Sequence, residues 1–347
     1  MQRILWEISM AKNIVYCADG TWDSSANGTN VYRLFKACAI NATQVAYYDD
    51  GVGSDGTPIE KLLGGAFGTG LFQKIKEGYS KIAHVYESGD HVFLFGFSRG
   101  AYTARSLGGM ITASGLPTQN FDDVLVDTAF HAYRDRDDRA KILAGIQDKY
   151  AMEKPKITMV GVWDTVGSLG IPSLFGGVDP LLYSFLDTSL SPNVLNAYQA
   201  VAINERRSEF PPTLWTGTPV PGQTMEQVLF AGVHCDVGGG YPEHGLSDIT
   251  LAWMGTKAIA LGLQIDPAAA FLFALPDSQH ALDKIHESWT PLWGFPCPRK
   301  LPNPFSVGNS VQIRCDHDAS YQPGTLAHTG TQLAATYTIV PVVSNPT

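Results

Sequence analysis

Long uninterrupted apolar runs are missing from this sequence: nowhere in its 347 residues do the roughly 18–20 uncharged residues needed to span a bilayer occur together. Any membrane contact is therefore expected to be peripheral. Cysteine is scarce and scattered. The five (Cys17, Cys38, Cys235, Cys297 and Cys315) are odd in number and never form a CxxC pair, which argues against a disulfide framework or a zinc ribbon and leaves reduced thiols. Positive charge is also short. With 24 Lys and Arg against 33 Asp and Glu, the net charge is −9, so the chain lacks the clustered cations that release counterions from nucleic acid, and nucleic acid is not an expected partner. Charged residues of both signs make up only 16% and hydrophobic residues 44%, which excludes a disordered chain and suits a well-filled interior. Internal repeats, low-complexity tracts and long linkers are absent as well. Residues 1–10 are too short and too acidic for a signal peptide. The expectation is a protein made in the cytoplasm, with any export signal-independent, comprising a lead-in over residues 1–12 and one catalytic domain over 13–347.

What is present is an alternation. Short runs rich in Val, Ile, Leu, Phe, Met, Ala and Gly occur at Asn13–Ala18, His91–Phe97, Ile157–Trp163 and Gln227–Val233, each reading as a strand buried on both faces. Helical patterns come after them at Asn30–Ile40, Leu71–Ser88, Ala101–Ser114 and Asp248–Leu261, with Ser247 or Asp248 as N-cap of the last. This rhythm predicts an α/β fold of the α/β-hydrolase kind, a mostly parallel sheet with helices on both faces. Two segments break it. Ile171–Leu190, rich in Leu, Phe, Tyr, Gly and Pro, comes after the third strand and is expected to form a lid over the active-site end of the sheet. Pro291–Asn309 contains five prolines with Trp293, Phe295 and Phe305, and is expected to be an extended, ordered surface segment forming the far wall of the cleft.

Each apolar run ends at a residue of chemical interest. The second leads into Gly96-Phe-Ser98-Arg-Gly100 and then a helical pattern. As a bare pattern GxSxG is weak, but between a buried strand and a helix it is the setting of a nucleophile elbow, where glycines two positions either side let neighbouring backbone pack against the turn. Ser98 is the candidate nucleophile; a serine that merely caps the helix is the bland reading. A serine hydroxyl needs a histidine to take its proton, and the histidine needs a carboxylate to set its tautomer. Asp164 ends the third run and His234 the fourth, in the chain order Ser, Asp, His that this fold uses. Among nine histidines, His244 and His286 are the rivals to His234. The N–H of Arg99, together with that of Gly20 or Thr21 in the loop after the first run, is expected to form the oxyanion hole, with Asp19 and Asp236 as supporting residues.

Competing constellations are weaker. Gly51-Val-Gly-Ser-Asp-Gly56 matches GxGxxG, but Pro58 stands where a dinucleotide site needs a helix. His234, Asp236, His244 and Asp248 carry metal-ligating groups at a spacing that matches no standard site, leaving a metal-dependent hydrolase as one alternative. Glu205-Arg-Arg207 could fork onto an anion or brace the structure. A catalytically inactive binding protein on the same fold is the other alternative. No cofactor or metal is expected.

Several segments taken together resemble the α/β hydrolases related to the phospholipase effectors of bacterial type VI secretion, which also occur in fungi. They are Asp19-Gly-Thr-Trp22, Gly51-Val-Gly53, Gly64-Gly-Ala-Phe-Gly68, Gly96-Phe-Ser-Arg-Gly-Ala-Tyr-Thr-Ala-Arg105, Gly161-Val-Trp-Asp-Thr-Val-Gly167, Asn204-Glu-Arg-Arg207 and Phe230-Ala-Gly-Val-His-Cys-Asp-Val-Gly-Gly-Gly-Tyr241, in order across residues 13–262. The resemblance implies a Ser98–Asp164–His234 hydrolase acting on an ester or phospholipid, with peripheral membrane contact and a secretion-system or immunity protein as partner. The sequence departs from the pattern at Asn204, where relatives often have Asp, and at Cys235, where Ser is common. Past residue 265 the resemblance fades to Ser310-Val-Gln-Ile-Arg314 and Tyr321-Gln-Pro323.

Overall fold

The structure, a computed structural model, describes residues 11–20, 26–51, 67–166, 188–301, 305–330 and 332–345. Eight strands form one sheet: β1 (Asn13–Ala18), β2 (Gln44–Asp49), β3 (His91–Phe97), β4 (Ile157–Trp163), β5 (Asn196–Ala202), β6 (Thr224–Phe230), β7 (Ser306–Gly308) and β8 (Thr338–Val340). Their order across the sheet is β2-β1-β3-β4-β5-β6-β7-β8, and every neighbouring pair is parallel. The helices that matter to the site are α1 (Asn30–Ala37), α2 (Phe67–Val85), α3 (Ser98–Ser114), α4 (Asp123–Arg134), α5 (His234–Gly238), α6 (Gly245–Ala260) and α7 (Asn309–His317).

Alternation along the strands assigns the two faces, because successive side chains in a strand point to opposite sides. Ile14, Tyr16, Val92, Leu94, Val160 and Val162 pack with residues of α2, α3 and α4, among them Ile75, Tyr79, Ile82, Leu107 and Met110. Their neighbours Val15, Cys17, Phe93, Phe95, Met159 and Trp163 pack against α1 and α6 through Val31, Leu34, Ile249, Trp253 and Met254. Both faces being covered, the strands need no polar side, which is why the runs read as continuously apolar.

Chain order and sheet order diverge at one place. From β1 the chain moves outward to β2, then returns across β1 to start β3 on its other side. The helices that come after β1 and β3 therefore lie on opposite faces and leave a crevice beyond the carboxyl ends of those two strands, where open α/β sheets bind ligands. Asp19 and Ser98 stand at that crevice.

Several expectations need correction. The fourth run forms a strand at Thr224–Phe230 and not at Gln227–Val233. Ala231–Val233 instead leave the sheet, and His234 opens α5 rather than closing a strand. The more polar strands β2 and β5 escape the sequence pattern, since Gln, Asn, Tyr and Asp break the apolar run that betrays the others. The N-cap of α6 is His244, whose carbonyl accepts from Ser247 Oγ, while Asp248 binds Arg33 instead of capping. Of the expected lid, residues 171–187 lie outside the described residues, as do residues 52–56 of the GxGxxG match. The proline-rich segment is not wholly a surface element: it makes a single 3-10 turn at Pro291–Trp293, buries Arg299, and ends in β7, which enters the sheet between β6 and β8. Its prolines stop before Phe305, so Ser306–Gly308 keep the amides that pairing requires.

One buried polar side chain ties the helical layer beside the site together. Asn30 Nδ2 donates to the carbonyls of Val237 and Ser247 and lies 2.9 Å from Thr250 Oγ1, linking α1 to α5 and α6. Replacing it by Ala removes both amide hydrogen bonds and leaves the single hydroxyl proton of Thr250 to be shared by the two buried carbonyls, so Asn30→Ala is expected to lower the unfolding free energy by about 1–3 kcal/mol. The measurement is the urea midpoint at constant slope; an unmoved midpoint would show that water replaces the amide without cost.

Candidate functional site

At the junction of β3 and α3, Ser98 has φ 57°, in the left-handed region that non-glycine residues avoid, at a cost of about 1–3 kcal/mol. The turn holds it there because its flanks are bare. A Cβ on Gly96 would lie 2.4 Å from the Gly100 carbonyl oxygen, and one on Gly100 would lie 2.2 Å from that of Ala18. The backbone of α3 therefore packs directly on β1 and β3, and the hydroxyl of Ser98 is lifted clear of the strand. Arg99 occupies the first turn of α3, whose N-terminal amides favour negative charge.

Asp164 comes directly after β4 and has φ 40°. Its amide donates to the Ala200 carbonyl at 2.7 Å, which continues the pairing of β4 with β5 and fixes the carboxylate at the sheet end. The carboxylate has no solvent exposure and is filled on both oxygens. Oδ1 accepts from the Ala202 amide at 2.9 Å and from Arg299 Nη1 at 2.6 Å; Oδ2 accepts from Arg299 Nη2 at 2.9 Å and faces His234 Nδ1 at 2.6 Å. Burial alone would push the Asp164 pKa up, but the Arg299 guanidinium and the His234 hydrogen bond outweigh it and hold the group well below the usual carboxylate range. An ionised carboxylate only accepts, so Nδ1 of His234 carries the proton and donates it. The free lone pair then sits on Nε2, 2.8 Å from Ser98 Oγ.

Two buried carboxylates, Asp236 and Glu205, position His234. Asp236 Oδ2 accepts from the amides of Val233 and His286, and its Oδ1 lies 2.6 Å from His286 Nδ1, so Asp236 ties the His234 turn to a segment 50 residues away. Glu205 is fully buried beside it. Its carboxylate accepts from the His234 amide at 3.3 Å, from Ser288 Oγ, and from the fork of Arg207 at 2.9 Å on both prongs. Burial raises the Glu205 pKa, yet Arg207 prevails and the group sits down at about 2. The guanidinium of Arg207 lies 3.5 Å over the Phe210 ring, and Phe210 meets the His234 imidazole edge-on at 5.1 Å. Phe97 covers the other side at 4.6 Å. Enclosed by rings, His234 has its pKa pushed down by burial, against the upward pull of Asp164. Glu205-Arg206-Arg207 is thus a brace and not an anion-binding fork, Arg206 being paired with Glu287.

Of the residues singled out in the sequence, Ser98, Asp164 and His234 come together; the rivals His244 and His286 do not, and pair with Asp248 and Asp236. His234 and Asp236 face different partners, and among the described residues no three His, Cys, Asp or Glu side chains converge as metal ligands. Asp19 is buried and joins the loop after β1 to its surroundings by accepting from Thr29 Oγ1 and Tyr48 hydroxyl at 2.6 Å each. Its Oδ1 also accepts the Gly20 amide at 2.8 Å, so that N–H points at Asp19. Thr21 lies outside the described residues. Arg299 and Phe210 are not recognisable in the sequence, because neither sits in a motif and both reach the site from segments defined only by the fold.

The charge states set a pH dependence of stability. The folded pKa of His234 is depressed, so between it and the unfolded value of about 6.5 the unfolded chain binds more protons. The stability that His234 contributes is present above about pH 6.5 and is lost as pH falls through the folded pKa. Asp164 adds stability present above about pH 3.9 that is lost further into acid. NMR titration should place the His234 imidazole below the ordinary histidine range, and a midpoint at or above about 6.5 would contradict the enclosed site.

The model of the family described as T6SS, phospholipase effector Tle1-like, catalytic domain, matches residues 12–257. The uncharacterized protein YEL023C of Saccharomyces cerevisiae is 28% identical over 238 residues, covering 61% of this chain and 34% of its own length. An uncharacterized protein from Pseudomonas aeruginosa of known structure is 17% identical with a TM-score of 0.49, over 80% of this chain and 51% of that one. The Tle1 effector, solved bound to the VgrG spike of the type 6 secretion system, is 18% identical with a TM-score of 0.39, over 68% of this chain and 52% of that one. This chain thus spans about a third of the yeast relative and about half of each bacterial one. Since the family model takes in most of the sheet and the segments that carry Ser98, Asp164 and His234, the chain belongs to the Tle1-like phospholipase effector catalytic domain family.

Proposed function

We propose that this protein is a serine hydrolase of carboxylic esters, with phospholipids as its substrate class. The observation that carries the reading is the continuous hydrogen-bonded path from Asp164 through His234 to Ser98, at 2.6 and 2.8 Å. A serine so placed loses its proton to Nε2 as Oγ attacks the ester carbonyl, and the imidazolium that forms is stabilised by the Asp164 carboxylate. The tetrahedral oxyanion accepts from the Arg99 amide and from an amide of the loop after β1, in which Asp19 holds the Gly20 N–H. Collapse of that intermediate expels the alcohol with the proton from His234. Water, activated by the same histidine, then hydrolyses the acyl-enzyme. Every proton in this scheme is moved by His234.

Phospholipid is favoured over smaller esters by family membership. A secretion-system component or an immunity protein is proposed as partner on the same ground. No described helix is long and apolar enough to cross a membrane, so the reading places contact with lipid at the periphery.

The test is labelling by a fluorophosphonate probe, together with hydrolysis of phospholipid vesicles. Labelling is expected in the wild type, to vanish in Ser98→Ala and to fall by several orders of magnitude in rate in His234→Ala. A folded wild-type protein that resists the probe, or a Ser98→Ala protein that retains vesicle hydrolysis, would defeat the reading.

A further inference from the structure

The segment between Pro291 and β7 reaches the site at two points. Trp293 meets the Phe210 ring edge-on at 5.5 Å, and Phe210 in turn meets His234. Six residues later Arg299 is 6% exposed and lies against Asp164. All five guanidinium N–H groups have acceptors. Nη1 donates to Asp164 Oδ1 and to the Ala202 carbonyl at 2.9 Å; Nη2 donates to Asp164 Oδ2 and to the Phe210 carbonyl at 2.8 Å; Nε donates to the same Phe210 carbonyl at 3.2 Å. The fork therefore grips the carboxylate in its plane, the end of β5, and the backbone of the residue whose ring abuts the imidazole.

We infer that Arg299 is a positioning residue for the hydrolytic centre, holding Asp164 in the ionised form and orientation that let it fix His234, and locking Phe210 against the same ring. The inference rests on the serine-hydrolase reading and deepens it. Without the guanidinium, a carboxylate buried from solvent would keep His234 and the Ala202 amide as its partners, and burial would drive it towards the neutral acid. A neutral Asp164 neither dictates the tautomer of His234 nor stabilises an imidazolium. Lysine would retain the charge but not the two parallel prongs.

The groups that face this pair are few. Asp164 meets Arg299 and His234, while His234 meets Asp164, Ser98, Glu205 and the cation of Arg207. Removing the Arg299 charge raises the proton affinity of Asp164, so protonation of the carboxylate that fixes His234 sets in at higher pH and the acid limb of reactivity moves with it. A purely structural brace would change the amount of folded protein and leave that limb in place.

The experiment measures the second-order rate constant of fluorophosphonate labelling across pH in the full chain, for wild type, Arg299→Met, Arg299→Lys and Ser98→Ala. Arg299→Met is expected to label about 10- to 100-fold more slowly, with the acid limb raised by about one pH unit or more. Arg299→Lys should also label more slowly, with its limb near that of the wild type. Ser98-dependent labelling at wild-type rate and limb in Arg299→Met overturns the role of Arg299 alone. If that variant fails to fold, a wild-type rate constant in Arg299→Lys does the same, since the fork would then be dispensable. Labelling that persists in Ser98→Ala overturns the hydrolase reading itself.

Discussion

A negative charge on Asp164 with no access to water is the constraint on which the rest of the site depends. Moving a carboxylate from water into a protein interior costs several kcal/mol even after relaxation, and the charge persists only because each oxygen is met by two donors. Those donors come from β5, from the turn after β6 and from the segment before β7. Three parts of the chain far apart in sequence thus converge on one group. The charge in turn dictates the tautomer of His234 and so the direction in which its lone pair faces Ser98. A neutral residue at 164 would relax all three demands and remove the reason for that geometry.

The sheet supplies what the charge cannot. Because all neighbouring strands of the eight-stranded sheet are parallel, their carboxyl ends gather on one edge, and Asp19, Ser98 and Asp164 come directly after β1, β3 and β4. Only four non-glycine residues among those described have positive φ, and two of them are Ser98 and Asp164. Backbone strain has been accepted where the two side chains must be turned out of the sheet, and close glycine packing between α3 and β1 sustains it. The aromatic enclosure of His234 by Phe97 and Phe210 adds the remaining element, a base that stays neutral into mild acid.

Residues that end apolar runs are legible in the sequence because burial on both faces leaves an unmistakable pattern, and Asp164 stands out against Ile157–Trp163 for that reason. The same rule puts the end of β6 three residues late. Ala231, Gly232 and Val233 pass through the interior of a turn, and composition does not separate such a turn from a strand. Strands β2 and β5 are hidden by buried polar side chains, including Gln44 and Gln199, whose partners are set by tertiary contacts. Arg299 is illegible for a related reason: it lies 135 residues from Asp164 in a proline-rich stretch without periodicity, and only the fold reveals the carboxylate it meets. Asp19 and Asp236 can be named from their glycine-rich surroundings, but their pairing with Tyr48 and His286 cannot.

Covalent acylation of Ser98 by an ester, through His234, is the event on which the functional reading stands. Its most direct measurement is intact mass of the protein quenched in acid within milliseconds of mixing with a long-chain nitrophenyl ester, and then peptide mapping. The account predicts a mass increase of one acyl group, carried on the peptide containing Ser98 and released on further incubation, alongside a burst of nitrophenol. Turnover of the ester without any acyl adduct, or an adduct on a peptide that does not contain Ser98, would contradict it.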